Sequence, residues 1–400
     1  MSRIGHASRP ARWRDSPEWG YNQGVGWFIT EDFIVKYHFG AVRCRGQSFH
    51  WWLPGLVSAA VLTAALPAAA EIRELRGRAE TLIIQRLNGE EVQRDFSQES
   101  LHGTTSALPL LSQARLEKIE AAEVLGAGQG VALLHRLPAG YTDAGMDLGA
   151  FSEDSSTSWY GSTAVSETRV IVLNAADLPG ARGPGDTAVV PGRIRLSGIM
   201  LITAMADVVD LSGTEVRLNV SVTRRDEQSG AAVVLDGEVR LVGGPGRDVR
   251  VERATGVFAP APPAVAALPE LTPEMPIVRA VLFTGQELQY DYSATAGQPF
   301  ELELNTRVQV FTAAAGVGAA AAFGNPVDGL PAILQKTRRA DAARRLIEVV
   351  RENVDTTGVA YAPPSALPVW PGLCGVLGLE GLAVPLLWLP RWANRRRTRE

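Results

Sequence analysis

The stretch that decides the fold is residues 216–223, which read Val-Arg-Leu-Asn-Val-Ser-Val-Thr. Apolar and polar side chains alternate without a break. Because successive side chains of a β-strand point to opposite faces, this period of two predicts a strand with one buried and one polar face. The same alternation returns in 300–310, where the apolar positions are Phe300, Leu302, Leu304, Val308 and Val310.

Further strand candidates lie on both sides of this stretch. Turns rich in Gly and Pro at 226–230, 243–246 and 296–299 separate them. An earlier hairpin is predicted over 82–96, since Asn88-Gly89 is a strong signal for a type I′ turn. Strands at this spacing predict an all-β fold, an antiparallel β-sandwich or jelly roll over 71–330. The shorter candidates are 168–173, 193–202, 232–241, 249–258 and 277–283.

Two stretches interrupt the β pattern. Residues 258–276 hold six prolines and predict an extended loop between strands, with a domain boundary as the alternative. Within 331–366, apolar residues recur at helical spacing over 332–354, and arginines occupy the opposite face. A short basic amphipathic helix followed by a linker is therefore expected. The helix either packs on the sheet or lies on a membrane surface beside the C-terminal segment.

Composition and charge narrow the class of protein. Of 400 residues, 46% are hydrophobic and 20% are charged, which is enough apolar surface for a folded core. Two Cys and five His exclude a disulfide scaffold and argue against a zinc site. Basic residues concentrate at the two ends of the chain, around an acidic body. A nucleic-acid-binding protein needs its positive charge on the folded face, so nucleic acid is not an expected partner.

The segment before Glu71 predicts export. No charge occurs from Gly46 to Ala70, two arginines precede this run, and small residues including Ala68 and Ala70 end it. This is the pattern of a signal peptide, here assigned to 42–70, that signal peptidase removes so that the mature chain begins at Glu71. The alternative is a transmembrane or buried helix. Residues 1–41 are then an artefact of start-site choice or a disordered extension.

The C-terminal sequence predicts a membrane or sorting segment over 367–400. Residues 367–390 are almost wholly apolar, with Glu380 as their single charge. About 20 apolar residues can span a bilayer, and basic residues that follow stay on the cytoplasmic side. The alternative is a buried hairpin with a solvated tail. The residues that carry the prediction are Pro368, Pro371, Arg391, Arg395, Arg396, Arg397 and Arg399.

These features together resemble a known family. Tyr290-Asp291-Tyr292, then 297–302 (Gly-Gln-Pro-Phe-Glu-Leu), then Ala322-Phe323-Gly324-Asn325 follow the order of closing strands in PEP-CTERM exported proteins of Gram-negative bacteria. The resemblance implies processing by an exosortase-like membrane peptidase and an association with exopolysaccharide. The defining Pro-Glu-Pro is absent, and the nearest equivalent is residues 367–371. A different sorting enzyme or a plain anchor would account for this departure.

Few motifs in the sequence indicate a catalytic or ligand-binding site. Gly126-Ala127-Gly128-Gln129-Gly130 has the wrong spacing for a dinucleotide site and favours a flexible turn. His102 and His135 lack partners for a metal or catalytic site, and no cofactor is expected. The acidic pairs at 153–154 and 226–227 are interpreted as solvated loop charges. Four aromatic residues can stack on a sugar ring or pack in the core: Trp159, Tyr160, Tyr290 and Tyr292.

The sequence therefore predicts an exported, non-enzymatic structural or matrix-associated protein. It would reside in the cell envelope, at the cell surface or outside the cell, after transient anchoring in the inner membrane by its tail. A carbohydrate-binding module acting on exopolysaccharide is the alternative, and a glycoside-active enzyme is a less favoured one.

Overall fold

The first hairpin forms where Asn88-Gly89 predicts it. In the computed structural model, strand β1 (Glu71–Leu87) pairs with β2 (Glu90–Gly103) around that turn. Asn88 and Gly89 have φ values of 51° and 88°, and a type I′ turn requires positive φ at both central positions. The structure describes residues 71–103, 109–136, 142–227, 229–324, 329–354 and 357–361. The predicted start-site artefact, signal peptide and C-terminal segment lie outside these residues.

Two antiparallel sheets make up the body. The seven-stranded sheet has the order β10-β9-β8-β13-β6-β1-β2, and the eight-stranded sheet has the order β11-β12-β7-β14-β5-β4-β3. The short strand β15 pairs with both β5 and β7, in line with β14. The remaining strands are β3 (Leu110–Glu120), β4 (Glu123–Arg136), β5 (Thr142–Ser152), β6 (Thr157–Val172), β7 (Thr187–Ala204), β8 (Thr214–Asp226), β9 (Gly230–Gly243), β10 (Val249–Gly256), β11 (Val265–Ala267), β12 (Ile277–Thr295), β13 (Pro299–Thr312), β14 (Val317–Phe323) and β15 (Val359–Tyr361).

The main core lies between the two sheets. Strand β8 carries the deciding alternation, and its apolar residues Val216, Leu218, Val220 and Val222 are all buried there. Their polar neighbours point outward from the seven-stranded sheet. The predicted all-β sandwich is therefore confirmed. The apolar positions of the alternation in 216–223 are the ones that face the core.

The glycine run 126–130 is a strand interior, so the predicted flexible turn is wrong. It lies in β4, where the two sheets approach closely. A Cβ atom on Gly128 would come within 2.6 Å of Ile83 Cγ2, and one on Gly130 within 2.8 Å of Thr81 Cγ2. Glycine is present because nothing larger fits against β1.

The two sheets are joined along one edge by side chains of β2. Glu99 accepts a hydrogen bond from the Leu111 backbone N–H at 2.9 Å, and Asp95 accepts one from the Arg115 backbone N–H at 2.7 Å. Both donors belong to β3, the edge strand of the opposite sheet. Edge strands with unpaired N–H groups invite aggregation, and these carboxylates occupy two of those groups.

The predicted single helix is two helices, α1 (Gly329–Lys336) and α2 (Ala340–Asn353), separated by a turn. Their apolar residues form a second core against the outer face of the eight-stranded sheet, so the helices pack on the sheet and their apolar side is not free for a membrane surface. The members include Phe151, Ile199, Leu201, Leu330, Ile333, Leu334, Leu346, Val349 and Val350.

Two other regions complete the sandwich. The proline-rich segment 258–276 crosses from one sheet to the other and contributes the short strand β11. Strand β15 lies inside the predicted linker and fills the slot between β5 and β7 beyond the end of β14. None of the helices in the described ranges is long and apolar enough to span a bilayer.

Candidate functional site

Three of the four candidate sugar-stacking residues are buried between the sheets. Trp159 is 0% exposed, Tyr292 2% and Tyr290 7%. The rings of Tyr290 and Tyr292 lie 6.1 Å apart, and Tyr292 lies 5.6 Å from Phe300. These three rings pack in the core between the sheets.

Tyr160 is placed differently, because alternation along β6 turns it to the opposite face from Trp159. It lies half-buried on the outer face of the seven-stranded sheet. There it lines an open groove of about 220 Å³, and Gln309 Nε2 donates a hydrogen bond of 2.6 Å to the Tyr160 hydroxyl. The other lining residues are Glu215, Arg217, Val310 and Phe311.

The charged side chains of the groove form ion pairs with one another or with a neighbouring arginine. Glu215 accepts hydrogen bonds from Arg217 Nε at 3.0 Å and from Arg240 Nη2 at 2.6 Å. Burial alone would raise the pKa of Glu215, but the two guanidinium groups outweigh it and hold the pKa below its usual value. Glu215 therefore stays ionised and paired, and the groove presents hydrogen-bonding groups with little unbalanced charge.

Apolar residues extend the site across the sheet. Tyr160 pairs with Ile84 on β1 and with Phe311 on β13, so the three lie in one row. Phe96 on β2 is 51% exposed and pairs with Leu82 on β1. Sequence reasoning missed Gln309, Phe311 and Phe96. Alternation in 300–310 does assign Gln309 to the outer face, but nothing in the sequence shows that β13 lies beside β6.

A second polar cluster lies between the sheets. Glu167 and Arg169 are each 1% exposed and form a salt bridge, and Arg169 Nη2 donates to Thr142 Oγ1 at 3.2 Å. Nearby, the Tyr361 and Thr306 hydroxyl groups hydrogen-bond at 2.7 Å. The cluster is closed from solvent and belongs to the interior between the two sheets.

One carboxylate of each acidic pair is held by hydrogen bonds, and Glu227 is exposed as predicted. Asp154 accepts a hydrogen bond from Lys118 Nζ at 2.7 Å. Burial alone would raise its pKa, but hydrogen bonds from Lys118, Ser156 and Thr157 lower it to about 2. Asp226 accepts hydrogen bonds from the backbone N–H and hydroxyl of Ser229, each at 2.5 Å.

The histidines lie apart from these groups. His102 Nε2 lies 2.8 Å from Glu74 Oε1, and His135 is exposed. In the part of the chain that the structure describes, no three His, Cys, Asp or Glu side chains come together as metal ligands. The groove around Tyr160 therefore remains the candidate site.

Comparison with protein-family models, with curated proteins and with solved structures found no match to this chain.

Proposed function

We propose that this chain is an exported, non-enzymatic protein of the cell surface or extracellular matrix, and that it contacts polysaccharide through the groove around Tyr160. The observation that carries the proposal is an outward-facing aromatic ring beside amide, carboxylate and guanidinium groups. Sugar rings present apolar C–H faces and a rim of hydroxyl groups. An aromatic face together with a few fixed polar groups matches both features.

The acid-base content of the groove supports binding without hydrolysis. Glycoside hydrolysis uses two carboxyl groups on either side of the scissile bond, one of them protonated. Glu215 is the only carboxylate among the residues that line the groove, and two arginines keep it ionised. This favours a carbohydrate-binding protein over a glycoside-active enzyme.

The position of the groove suits an exported chain held by its tail. Glu71 pairs with Val172, and Tyr361 pairs with Thr142, so both lie at one end of the sandwich. Tyr160 lies toward the opposite end, about 40 Å away along β6 at 3.3 Å per residue. We infer that signal peptidase acts before Glu71, where β1 begins, and that an exosortase-like peptidase or the membrane itself receives the segment beyond Pro368.

Titration calorimetry of the full chain with exopolysaccharide from the producing cells tests the proposal. The wild-type chain should bind, and Tyr160→Ala should weaken binding at least about tenfold, as expected for a central aromatic contact. Thr168→Ala is the matched control, because Thr168 lies on the same strand and the same outer face. Equal affinity of all three proteins, or no binding by the wild type, would contradict the proposal.

A further inference from the structure

The groove around Tyr160 continues into an apolar strip that crosses four strands. The strip consists of Phe96 on β2, Leu82 and Ile84 on β1, Tyr160 on β6 and Phe311 on β13. Ile84 is only 5% exposed although it lies on the outer face, where its cross-strand neighbours are Tyr160 on β6 and Arg94 on β2. Phe96 is 51% exposed, and its ring has no role in the core.

The strip is longer than one sugar ring. Neighbouring strands lie about 4.8 Å apart, so Phe96 and Tyr160, two strands apart, are separated by about 10 Å across the sheet. The register also offsets them by two residues along the strands. The distance between the two aromatic side chains is therefore roughly 12 Å. A ligand that contacts both must be a chain of several rings lying across the strands.

The charges beside the strip indicate what kind of chain fits. Arg94 pairs with Glu91 at 3.0 Å at the Phe96 end, and Arg78 pairs with Glu80 in the next row. At the other end, Glu215 is held by Arg217 and Arg240. Each of these four guanidinium groups already has a carboxylate partner, whereas Arg86 and Arg307 on the same face form no ion pair within the part of the chain that the structure describes. An acidic polymer would have to displace these partners, whereas hydroxyl groups can share them.

On these grounds we infer that the strip binds a linear, uncharged polysaccharide that runs across the strands, with one sugar ring on Tyr160 and Phe311 and a later ring on Phe96. This inference rests on the proposed function and specifies its ligand. The inference predicts that affinity increases with the length of the oligosaccharide, because a short oligosaccharide contacts only the Tyr160 end of the strip.

A length series tests the inference. Neutral oligosaccharides prepared by partial hydrolysis of the cells' own exopolysaccharide and graded by length are titrated into the full chain. Phe96→Ala should weaken binding of the long oligosaccharides by about fivefold and leave the disaccharide unchanged. Tyr160→Ala should weaken binding at every length. Val189→Ala, an exposed apolar residue on the other sheet, is the control and should behave like the wild type.

The outcomes distinguish the proposed function, polysaccharide binding at Tyr160, from the inference that the ligand is an uncharged chain reaching Phe96. If no oligosaccharide binds, the proposed function fails and the inference fails with it. If oligosaccharides bind but Phe96→Ala affects all lengths equally or none, the inference is overturned and the proposed function stands. Tighter binding of alginate oligomers, which are carboxylated, than of the neutral series would overturn the assignment of an uncharged ligand.

Discussion

Glu167 and Arg169 place a salt bridge in the core of the sandwich. Both side chains are 1% exposed. Loss of one partner leaves a buried charge without compensation, which typically costs about 3–5 kcal/mol. Glu167→Leu should therefore lower the free energy of unfolding by that amount, measured by urea denaturation. Glu301→Leu removes a half-buried, solvent-accessible partner of Arg76 and should change the free energy of unfolding by less than about 1 kcal/mol. Equal effects of the two substitutions would refute the buried role.

Asp143 should make the stability of the protein depend on pH in the acidic range, below about pH 6. Burial raises the pKa of this carboxyl group from 3.8 to about 6. The folded chain thus holds the proton more tightly than the unfolded chain, so stability should fall as the pH rises from 3.8 to about 6 and level off above that. Asp143→Asn should remove this fall and stabilise the protein above pH 6, measured as the thermal midpoint against pH. A midpoint that rises over the same window in the wild type alone would contradict the assignment.

At the residue scale, β6 shows why the site was only partly predictable. The inward positions of β6 include Glu167 and Arg169, whose charges break the apolar alternation. Sequence reasoning therefore placed a strand only at 168–173 and could not assign opposite faces to Trp159 and Tyr160. Their burial depends on which strands flank β6, and this is set by contacts distant in sequence.

Among the elements, α1 depends on close backbone contact with β5. Asp147 accepts a hydrogen bond from the Gly329 backbone N–H at the start of the helix. A Cβ atom on Gly149 would come within 2.7 Å of Leu330 Cα and 2.8 Å of the Gly329 carbonyl carbon. The helix can therefore lie on the sheet only because position 149 has no side chain.

Gly149→Ala should accordingly displace α1 and destabilise the protein by about 1–3 kcal/mol, the usual cost of overpacking. Chemical denaturation measures the loss, and amide hydrogen exchange should show faster exchange in 329–336. Gly183→Ala is the control, since a Cβ atom there meets no atom within 4 Å. If the two alanine variants are equally stable, the close packing of α1 is wrong.

The elements that sequence reasoning identified best are those with a local signal. The hairpin at Asn88-Gly89 and the strands β8 and β13 needed only turn chemistry and alternation. Strand β4 was missed because glycines 126, 128 and 130 are dictated by the opposing β1, which the local sequence does not reveal. Strand β15 was missed because three residues are too short for a periodic pattern, and its partners β5 and β7 are distant in sequence.

For the whole molecule, we propose that the C-terminal segment 367–400 determines where the sandwich resides. Five arginines between Arg391 and Arg399 each cost about 2.5–3.5 kcal/mol to insert at a bilayer centre, so they should stay inside and stall export. Replacing them with Ser should release more protein into the medium. Glu380→Leu removes the charge that keeps the apolar segment marginal and should retain more protein. Cell fractionation measures both, and two variants distributed like the wild type would assign 367–390 to the folded protein.

The central claim is that polysaccharide contacts the outer face of the seven-stranded sheet at Tyr160. Hydroxyl-radical footprinting of the full chain, with and without the exopolysaccharide, tests it most directly. Oxidation of Tyr160, Phe311 and Phe96 should fall when the polysaccharide is present, and Trp159, which is 0% exposed, should show no change. Unchanged oxidation of Tyr160 together with protection of α2 or of the outer face of the eight-stranded sheet would contradict the account.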